Sequence, residues 1–298
     1  MCTLSQQNLT LTMKAPLFFA FLFACTAMSV AQSFVSETLT VKSDILKQER
    51  NYSVYLPDGY EHSSRSYPVL YLLHGYSDNH TGWVQFGEVQ HIADQAIAAG
   101  EATPMIIVMP DADTTRPGYT NSIDGKYNFE KFFFEEFMPQ IENTYRIRKD
   151  KRYRAIAGLS MGGGGTFVYA MHRPDLFSAA APLSAQLMSP TTTDELKGWA
   201  ERSRASFDPK DAEAYLAEYN PLALVKSVEK EKLNSVRWYI DCGDDDFLYE
   251  GNAQMHILMR QLGVNHEYRV RDGGHTWDYW RTALPTVLEF VSKGFHQF

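Results

Sequence analysis

The sequence predicts an α/β fold built on a doubly wound, mostly parallel sheet. Two continuous apolar runs, residues 69–73 and 105–109, are typical of parallel strands that helices cover on both faces. Four more strand candidates follow, with helical patterns between them, at 153–157, 179–183, 238–242 and 266–270. Strands that alternate with helices form right-handed βαβ units, and this indicates helices on both faces of one sheet.

The other elements agree with that fold class. Residues 37–41 and 52–55 alternate between apolar and polar, which predicts an antiparallel hairpin at the edge of the sheet. Phe133, Phe137, Ile141 and Tyr145 recur every four residues, as on one face of a helix. A second helical pattern ends at Gly263, a residue that commonly terminates helices.

Length and charge limit the possible functions. The chain has 298 residues, 44% of them hydrophobic and 21% charged, which fits one globular domain over residues 32–298. The formal net charge of −8 favours solubility and gives no reason to expect a nucleic-acid partner.

Residues 1–31 have the pattern of a secretory signal peptide. Lys14 precedes the apolar run 17–24, and small residues at 29 and 31 fit a cleavage site. Met13 next to Lys14 is a plausible true start. The apolar run is too short to span a bilayer, so we expect a secreted or periplasmic protein without an integral membrane span.

Two of the three cysteines, Cys2 and Cys25, fall in this segment. Residues 22–25 also resemble a lipoprotein cleavage box, although Phe23 is bulky where a small residue is usual, so lipid anchoring at Cys25 is the alternative to secretion. Only Cys242 remains after cleavage. We expect it to be a buried apolar side chain, and a disulfide within the mature chain is excluded.

The strongest functional motif is the Gly-x-Ser-x-Gly pattern at residues 158–162. It follows the strand candidate 153–157 and precedes a helical stretch at 166–172. A serine on such a strand-to-helix turn is exposed as a nucleophile, and the α/β-hydrolase fold uses this arrangement. Four successive glycines at 162–165 could suggest a phosphate loop, but no lysine follows them, so we read them as allowing close packing of the helix on the sheet.

The partners of Ser160 are expected later in the chain, first an acid and then a histidine. His275 lies in a glycine-containing turn after the strand candidate 266–270, where it could accept the serine proton. Asp244, Asp245 and Asp246 directly follow the strand candidate 238–242. Sequence position alone leaves the choice among these three carboxylates open, and a solvated turn is favoured over a calcium loop.

An oxyanion hole combines two backbone N–H groups. The first is expected from Met161, directly after the nucleophile, and the second from Tyr76, after the strand 69–73. His74 precedes the nucleophile in the chain, so we interpret it as a residue that shapes this loop.

Residues 186–234 are the least regular stretch. They lie between two presumed core strands, where a helical insertion could cover a pocket or a plain surface excursion could occur. Trp199, Tyr215 and Tyr219 lie there, and their rings would either stack on substrate or pack the insertion.

Four segments together resemble the esterase family that includes esterase D, antigen-85-type acyltransferases and the feruloyl and acetylxylan esterases of carbohydrate esterase family 1. They are 71–75 with Trp83, 158–163, 241–248 and 273–280. The resemblance covers nearly the whole mature chain. It implies an α/β-hydrolase fold with a helical insertion before the acid loop, Asp246 as the acid, and Tyr76 and Met161 as oxyanion donors.

The resemblance also implies the chemistry. We expect a serine carboxylic-ester hydrolase that removes feruloyl or acetyl groups from xylan or its oligosaccharides, with substrate contacts from Trp83, Trp277 and Trp280 and no cofactor or metal. An acyltransferase, a general esterase like S-formylglutathione hydrolase and an inactive carbohydrate-binding relative are the alternatives. Acetyl against feruloyl specificity and the oligomeric state stay open.

Overall fold

The computed structural model describes residue 1 and residues 32–296, except for 77, 113, 117, 188 and 189. The expected signal peptide, the alternative start at Met13 and the lipoprotein alternative at Cys25 therefore lie outside the described residues. The described residues from 32 onward belong to one unit.

An eight-stranded sheet organises these residues. Its strands are β1 (Phe34–Ser43), β2 (Gln48–Leu56), β3 (Val69–Leu73), β4 (Ile106–Pro110), β5 (Arg154–Leu159), β6 (Ala179–Leu183), β7 (Arg237–Gly243) and β8 (His266–Arg271). They lie in the order β1-β2-β4-β3-β5-β6-β7-β8. β2 pairs antiparallel with β1 and with β4, and every later pairing is parallel. The predicted edge hairpin and the mostly parallel sheet are confirmed.

Helices cover both faces of the sheet. They are α1 (Gly82–Gln85), α2 (Val89–Ala98), α3 (Phe129–Phe132), α4 (Met138–Thr144), α5 (Met161–His172), α6 (Thr193–Arg202), α7 (Ala212–Tyr219), α8 (Pro221–Leu224), α9 (Lys230–Asn234), α10 (Tyr249–Leu262) and α11 (Trp277–His296). Short 3₁₀ turns occupy Lys151–Tyr153 and Pro209–Asp211, and a π-helical segment, Phe133–Phe137, joins α3 to α4.

The two apolar cores explain the continuous hydrophobic runs. Side chains of α2 and α11 pack on one face of the sheet, whereas those of α3, α4, α5 and α10 pack on the other. All five side chains of β3 are fully buried, because successive residues of a strand point to opposite faces and helices cover both.

Two element boundaries differ from prediction. The helix expected at 166–172 begins at Met161, directly after the motif serine. Glycine is a poor helix former, so the sequence pattern predicts a later start for the helix. All four glycines are buried, and tertiary packing outweighs their low helix propensity. The helix expected through Tyr145 ends at Thr144, since Tyr145 has extended backbone angles.

The stretch 186–234 is the predicted helical insertion. It contains α6 to α9, and Leu196, Ala212 and Tyr215 form its own small apolar cluster, separate from the two main cores. Among the described residues, we find no helix that combines the length and the apolar character needed to cross a membrane.

Candidate active site

Loops at the carboxyl ends of β5, β7 and β8 bring three predicted residues together. Ser160 Oγ lies 2.9 Å from His275 Nε2, and His275 Nδ1 lies 2.9 Å from Asp246 Oδ2. These residues are up to 115 positions apart in the chain. Parallel strands place their carboxyl ends at the same edge of the sheet, which is why such distant residues meet there.

Ser160 occupies a strained turn between β5 and α5. Its φ of 55° and ψ of −116° are unusual for a residue with a side chain, and such a backbone costs about 1–3 kcal/mol. The Ser160 N–H donates to Leu183 O at 2.9 Å, and Ser160 O accepts from the N–H groups of Gly164 and Gln186. These bonds hold the turn so that the hydroxyl points away from the sheet, at the amino end of a helix.

Glycines allow this turn to sit against the neighbouring strand. A Cβ atom on Gly162 would lie 2.6 Å from His74 O and 2.7 Å from Leu73 O. A Cβ atom on Gly158 would lie 2.6 Å from Gly162 O. No side chain fits at either position, so the interpretation that these glycines permit close helix-to-sheet packing is confirmed.

Burial distinguishes the three candidate acids. Asp246 is 1% exposed, while Asp244 and Asp245 are exposed to solvent. Burial by itself would raise the pKa of Asp246, but hydrogen bonds from His275, the Leu248 N–H and Ser184 outweigh it and lower that pKa. The carboxylate that faces His275 is therefore ionised at neutral pH.

The ionised acid determines which nitrogen of His275 carries a proton. A carboxylate only accepts hydrogen bonds, so Nδ1 carries the proton and Nε2 is left to accept the Ser160 O–H. Phe247 and Trp280 flank the imidazole, with ring centroids at 4.5 Å and 4.9 Å. The imidazole is thus held between two aromatic rings and oriented by Asp246.

The two predicted oxyanion donors lie next to the serine. Tyr76 and Met161 line the same cavity as Ser160. The loop after β3 packs directly on the nucleophile turn, because a Cβ atom on Gly75 would lie only 3.6 Å from Ser160 Cβ. Met161 is the first residue of α5, where the partial positive charge of a helix amino end favours a developing anion.

His74 has the loop-shaping role that was expected. Its Nε2 accepts from the Ala112 N–H at 3.0 Å, so the proton is on Nδ1, which donates to Gly75 O at 2.7 Å. Burial lowers the pKa of His74 to about 4, which keeps the ring neutral. The neutral imidazole ties the loop after β3 to the segment after β4.

A cavity of about 680 Å³ opens beside Ser160. The loops of the sheet form one side of it, through Tyr76, Met161 and Phe247, and the helical insertion forms the other. The insertion contributes Trp199, Arg202, Tyr215, Leu216, Tyr219 and Asn220. Of the two alternatives that the sequence left open for residues 186–234, the structure favours the helical insertion that covers a pocket.

Polar contacts anchor the insertion to the rest of the domain. Tyr219 donates to Glu130 Oε2 at 2.9 Å, and His172 Nδ1 lies 2.6 Å from Glu130 Oε1. Tyr215 donates to Asn121 O at 2.8 Å. Both phenol groups of the insertion have protein partners, so their rings are what they can offer to a bound molecule.

The structure corrects two of the three predicted tryptophan contacts with substrate, those of Trp83 and Trp280. Trp83 is fully buried and donates to Leu73 O at 3.0 Å, and Trp280 is 5% exposed and donates to Ser184 Oγ at 3.0 Å. Trp277 packs against Trp83 and Phe86. Burial turns Trp83 and Trp280 away from the cavity beside Ser160, whereas the half-buried Trp277 lies outside the lining of that cavity and its predicted contact stays a prediction.

Sequence reasoning missed two buried polar residues behind the site. Asp241 is fully buried and accepts hydrogen bonds from Tyr239, Tyr279 and Arg271. Asn252 is fully buried and links Ala185 to Leu248, which joins the loop after β6 to the acid loop. A carboxylate inside an otherwise apolar strand was the available signal for Asp241, whereas Asn252 had none.

Two further predictions concern cysteine and metal. Cys242 is buried, as expected, and burial raises the pKa of its thiol to about 12. Over the described ranges, a single grouping of possible cation ligands occurs, formed by the exposed side chains of Asp244, Asp245 and Asp272. Exposed carboxylates on a solvated turn do not by themselves make a metal site.

Known proteins share both the sequence pattern and the fold. A family model described as "Putative esterase" matches residues 43–291. A Xylanibacter ruminicola endo-1,4-beta-xylanase/feruloyl esterase is 33% identical over 86% of this chain and 31% of its own length. An esterase of Mycobacterium tuberculosis is 28% identical over 79% of this chain and 55% of its own. The chain thus spans from about a third to about half of the length of these curated relatives.

Solved structures of other proteins share this fold. A ferulic acid esterase superposes with a TM-score of 0.77 at 38% identity, covering 89% of this chain and 99% of that one. An S-formylglutathione hydrolase from Staphylococcus aureus gives 0.68 at 23% identity, over 87% and 99%, which shows the shared fold. The predicted α/β-hydrolase fold is confirmed, and the match over residues 43–291 shows that the chain belongs to this esterase family.

Proposed function

We propose that this protein is a serine carboxylic-ester hydrolase that acts through an acyl-Ser160 intermediate. One observation carries the proposal: Ser160 Oγ, the His275 imidazole and the Asp246 carboxylate form a continuous hydrogen-bonded series that ends in a cavity. A serine that is hydrogen-bonded to a neutral imidazole, itself oriented by a buried carboxylate, is an activated nucleophile.

Acylation follows from this geometry. Ser160 Oγ attacks the ester carbonyl carbon while His275 Nε2 takes the hydroxyl proton, and the carbonyl electron pair moves onto oxygen. The N–H groups of Tyr76 and Met161 are the proposed donors to that oxyanion. When the tetrahedral intermediate collapses, the bond to the leaving alcohol breaks and His275 returns its proton to the alcohol oxygen.

Deacylation reverses the roles with water. His275 Nε2 removes a proton from a water molecule, whose oxygen attacks the acyl carbon of Ser160. Collapse of the second tetrahedral intermediate breaks the bond to Ser160 Oγ, and the serine recovers its proton from His275. Asp246 stays ionised throughout and stabilises the imidazolium that forms in both steps.

The substrate that we propose is a feruloyl or acetyl ester of plant cell-wall xylan or its oligosaccharides, with feruloyl favoured. A cavity of about 680 Å³ is far larger than an acetyl group requires, and it falls in the range that holds drug-sized ligands. Aromatic side chains, including Trp199, Tyr215 and Tyr219, line it and suit a planar aromatic acid. The relatives named as feruloyl esterases support the same preference.

Removal of the nucleophile tests the proposed chemistry. Ser160→Ala is expected to abolish hydrolysis of an aryl acetate and labelling by a serine-directed fluorophosphonate, while circular dichroism and Tm stay close to those of the parent. Ser292→Ala is the matched control, because it removes a buried serine hydroxyl in α11 that bonds the Thr103 N–H. Activity retained in Ser160→Ala would refute the proposal.

The acyl preference and the acceptor are tested on one substrate. Release of ferulate and acetate from the same arabinoxylan is quantified. We expect the fraction of bound ferulate that is released per unit time to exceed the corresponding fraction of bound acetate. A parallel reaction with an added sugar alcohol looks for transfer products. Preferential acetate release would overturn the feruloyl assignment, and transfer in place of hydrolysis would make the protein an acyltransferase.

We also propose that the protein acts outside the cytoplasm. The support is the pattern of residues 1–31, with Lys14, an apolar run and small residues at 29 and 31. Expression of the full chain is expected to yield a protein whose amino terminus is Gln32. Lipid labelling that is lost in Cys25→Ala would instead show lipoprotein processing.

A further inference from the structure

A buried serine, Ser184, lies between Trp280 of α11 and Asp246, the acid of the triad. Ser184 directly follows β6 and is fully buried, with a φ of 44°, a backbone angle that residues with side chains seldom adopt. Its N–H donates to Asp241 O at 2.7 Å. A strained backbone that is held by its neighbours and lies beside a reactive centre points to a functional reason for the strain.

The Ser184 hydroxyl has partners on both sides. Trp280 Nε1 can only donate, and it lies 3.0 Å from Ser184 Oγ. Because the indole donates to it, the hydroxyl directs its own proton away from the ring, toward the Asp246 carboxylate, whose pKa it helps to lower, and the Cys242 thiol. The series therefore runs from the indole N–H through the hydroxyl to the acid.

Trp280 also contacts the base. Its ring meets the His275 ring edge to face, with centroids 4.9 Å apart and planes at 86°. The same indole thus restricts the imidazole directly and the carboxylate through Ser184. Ser184 and Trp280 are both buried, and neither lines the cavity beside Ser160.

We propose that Ser184 and Trp280 are positioning residues for the Asp246–His275 pair. Together they fix the orientation of the carboxylate and hold its charge, so that His275 Nδ1–H has one acceptor and Nε2 points at Ser160. This inference rests on the proposed function, since it assigns what prepares the base. It also replaces the expected substrate contact of Trp280 with a role behind the site.

The charged surroundings of Asp246 determine the sign of the expected pH effect. His275 faces it from the loop after β8, and the Cys242 thiol on β7 is neutral because its pKa is about 12. A carboxylate that loses the Ser184 donor concentrates its charge on His275 Nδ1–H and binds that proton more tightly. The acidic limb of the kcat/KM profile should therefore move to higher pH when the hydroxyl is removed.

Ser184→Gly is the decisive variant, because glycine accepts a positive φ without strain and the change removes only the hydroxymethyl group. We expect kcat to fall about tenfold, the effect of losing one hydrogen bond to a charged group, with little change in KM. Trp280→Phe should give a similar fall. Ser292→Ala and Trp238→Phe are the controls, since each loses a buried hydrogen bond remote from the triad and should leave kcat and the acidic limb unchanged.

A second readout needs no substrate. In protein with ¹⁵N-labelled histidine, the downfield Nδ1 proton of His275 is assigned by its loss in His275→Gln, and it should shift in Ser184→Gly but not in Ser292→Ala. An unchanged resonance together with an unchanged acidic limb would overturn the positioning role. Failure of the proposed function would appear differently, as a parent protein without esterase activity that still shows the shift.

Discussion

The strand-end triad and the helical insertion are built in different ways, although both border the same cavity. Ser160, Asp246 and His275 lie close to the carboxyl ends of β5, β7 and β8, and glycines near them are packed so closely that an added Cβ atom would lie under 3 Å from a neighbouring atom. The α6 and α7 part of the insertion has a small core of Leu196, Ala212 and Tyr215 and polar contacts through its two tyrosines, whereas its α8 and α9 join the main core through Leu224 and Leu233.

This difference separates reaction from selectivity. Catalytic geometry must hold within fractions of an ångström, so it belongs on the rigid edge of a sheet. A pocket wall can change its side chains without disturbing that edge, so it belongs on an insertion. We therefore expect substitutions near the strands to change kcat or folding, and substitutions in the insertion to change KM and acyl preference.

The largest effect is expected at the acid. Asp246→Asn should lower kcat by about 10⁴-fold, because an amide favours the wrong tautomer of the imidazole and cannot stabilise the imidazolium. Asp245→Asn is the control, since that neighbouring carboxylate is exposed and its substitution should leave kcat unchanged. Steady-state kinetics on an aryl acetate measure this effect, and a fall in kcat of less than tenfold would show that Asp246 is not the acid of the triad.

Two glycines should respond in opposite directions. Gly162→Ala is expected to lower the free energy of unfolding by at least about 2 kcal/mol, since its Cβ would meet backbone carbonyls at 2.6 Å. Gly198→Ala in α6 should raise it by about 0.5–1 kcal/mol, because only the flexible end of Arg202 lies nearby, at 3.5 Å. Denaturant unfolding measures both, and equal effects would show that the two regions are packed alike.

A ring in the insertion should affect aromatic substrates alone. Trp199→Ala is expected to raise KM for a feruloyl ester by roughly three- to tenfold through the loss of one stacking contact. Hydrolysis of a small acetate should be unaffected. Trp277→Phe is the control, because that indole lies outside the cavity. If Trp199→Ala and Trp277→Phe affected hydrolysis of the feruloyl ester and of the acetate equally, the insertion would not be the source of acyl selectivity.

The smallest effect concerns the attachment of the insertion and its dependence on pH. Burial lowers the pKa of His172, but the hydrogen bond and the charge of Glu130, with Glu218 nearby, raise it above its ordinary value of 6.5. A pKa that is raised in the folded state gives stability that is complete below pH 6.5 and is lost as pH rises through the folded value.

His172→Gln should therefore be less stable than the parent at pH 6, and the difference in Tm should narrow as the pH rises to 8.5. Hydrogen exchange of α6 and α7 should follow the same trend, since Tyr219 shares the Glu130 carboxylate. His62→Gln is the control, because that histidine is exposed and lies outside this cluster. A difference in Tm between His172→Gln and the parent that does not depend on pH would show that the His172–Glu130 contact does not anchor the insertion through charge.

Local patterns in the sequence were sufficient for the fold class and for the turn that carries the serine. Continuous apolar runs, alternation at 37–41 and 52–55, and a Gly-x-Ser-x-Gly turn between a strand and a helix all depend on neighbours within a few residues. The order of serine, acid and histidine along the chain depends on topology, and the alternation of strands and helices already predicted that topology. These features could therefore be read before any contact was known.

Tertiary structure decided which groups meet and which are buried. Sequence position alone did not distinguish Asp246 from its two neighbours, and the family resemblance was needed to select it, whereas burial against His275 distinguishes it directly. Trp280 carries the pattern of a ligand-binding aromatic, yet α11 turns its indole toward Ser184, 96 residues away in the chain. Side-chain direction and solvent exposure arise from packing between distant segments, and sequence periodicity reports only which residues are neighbours along one element.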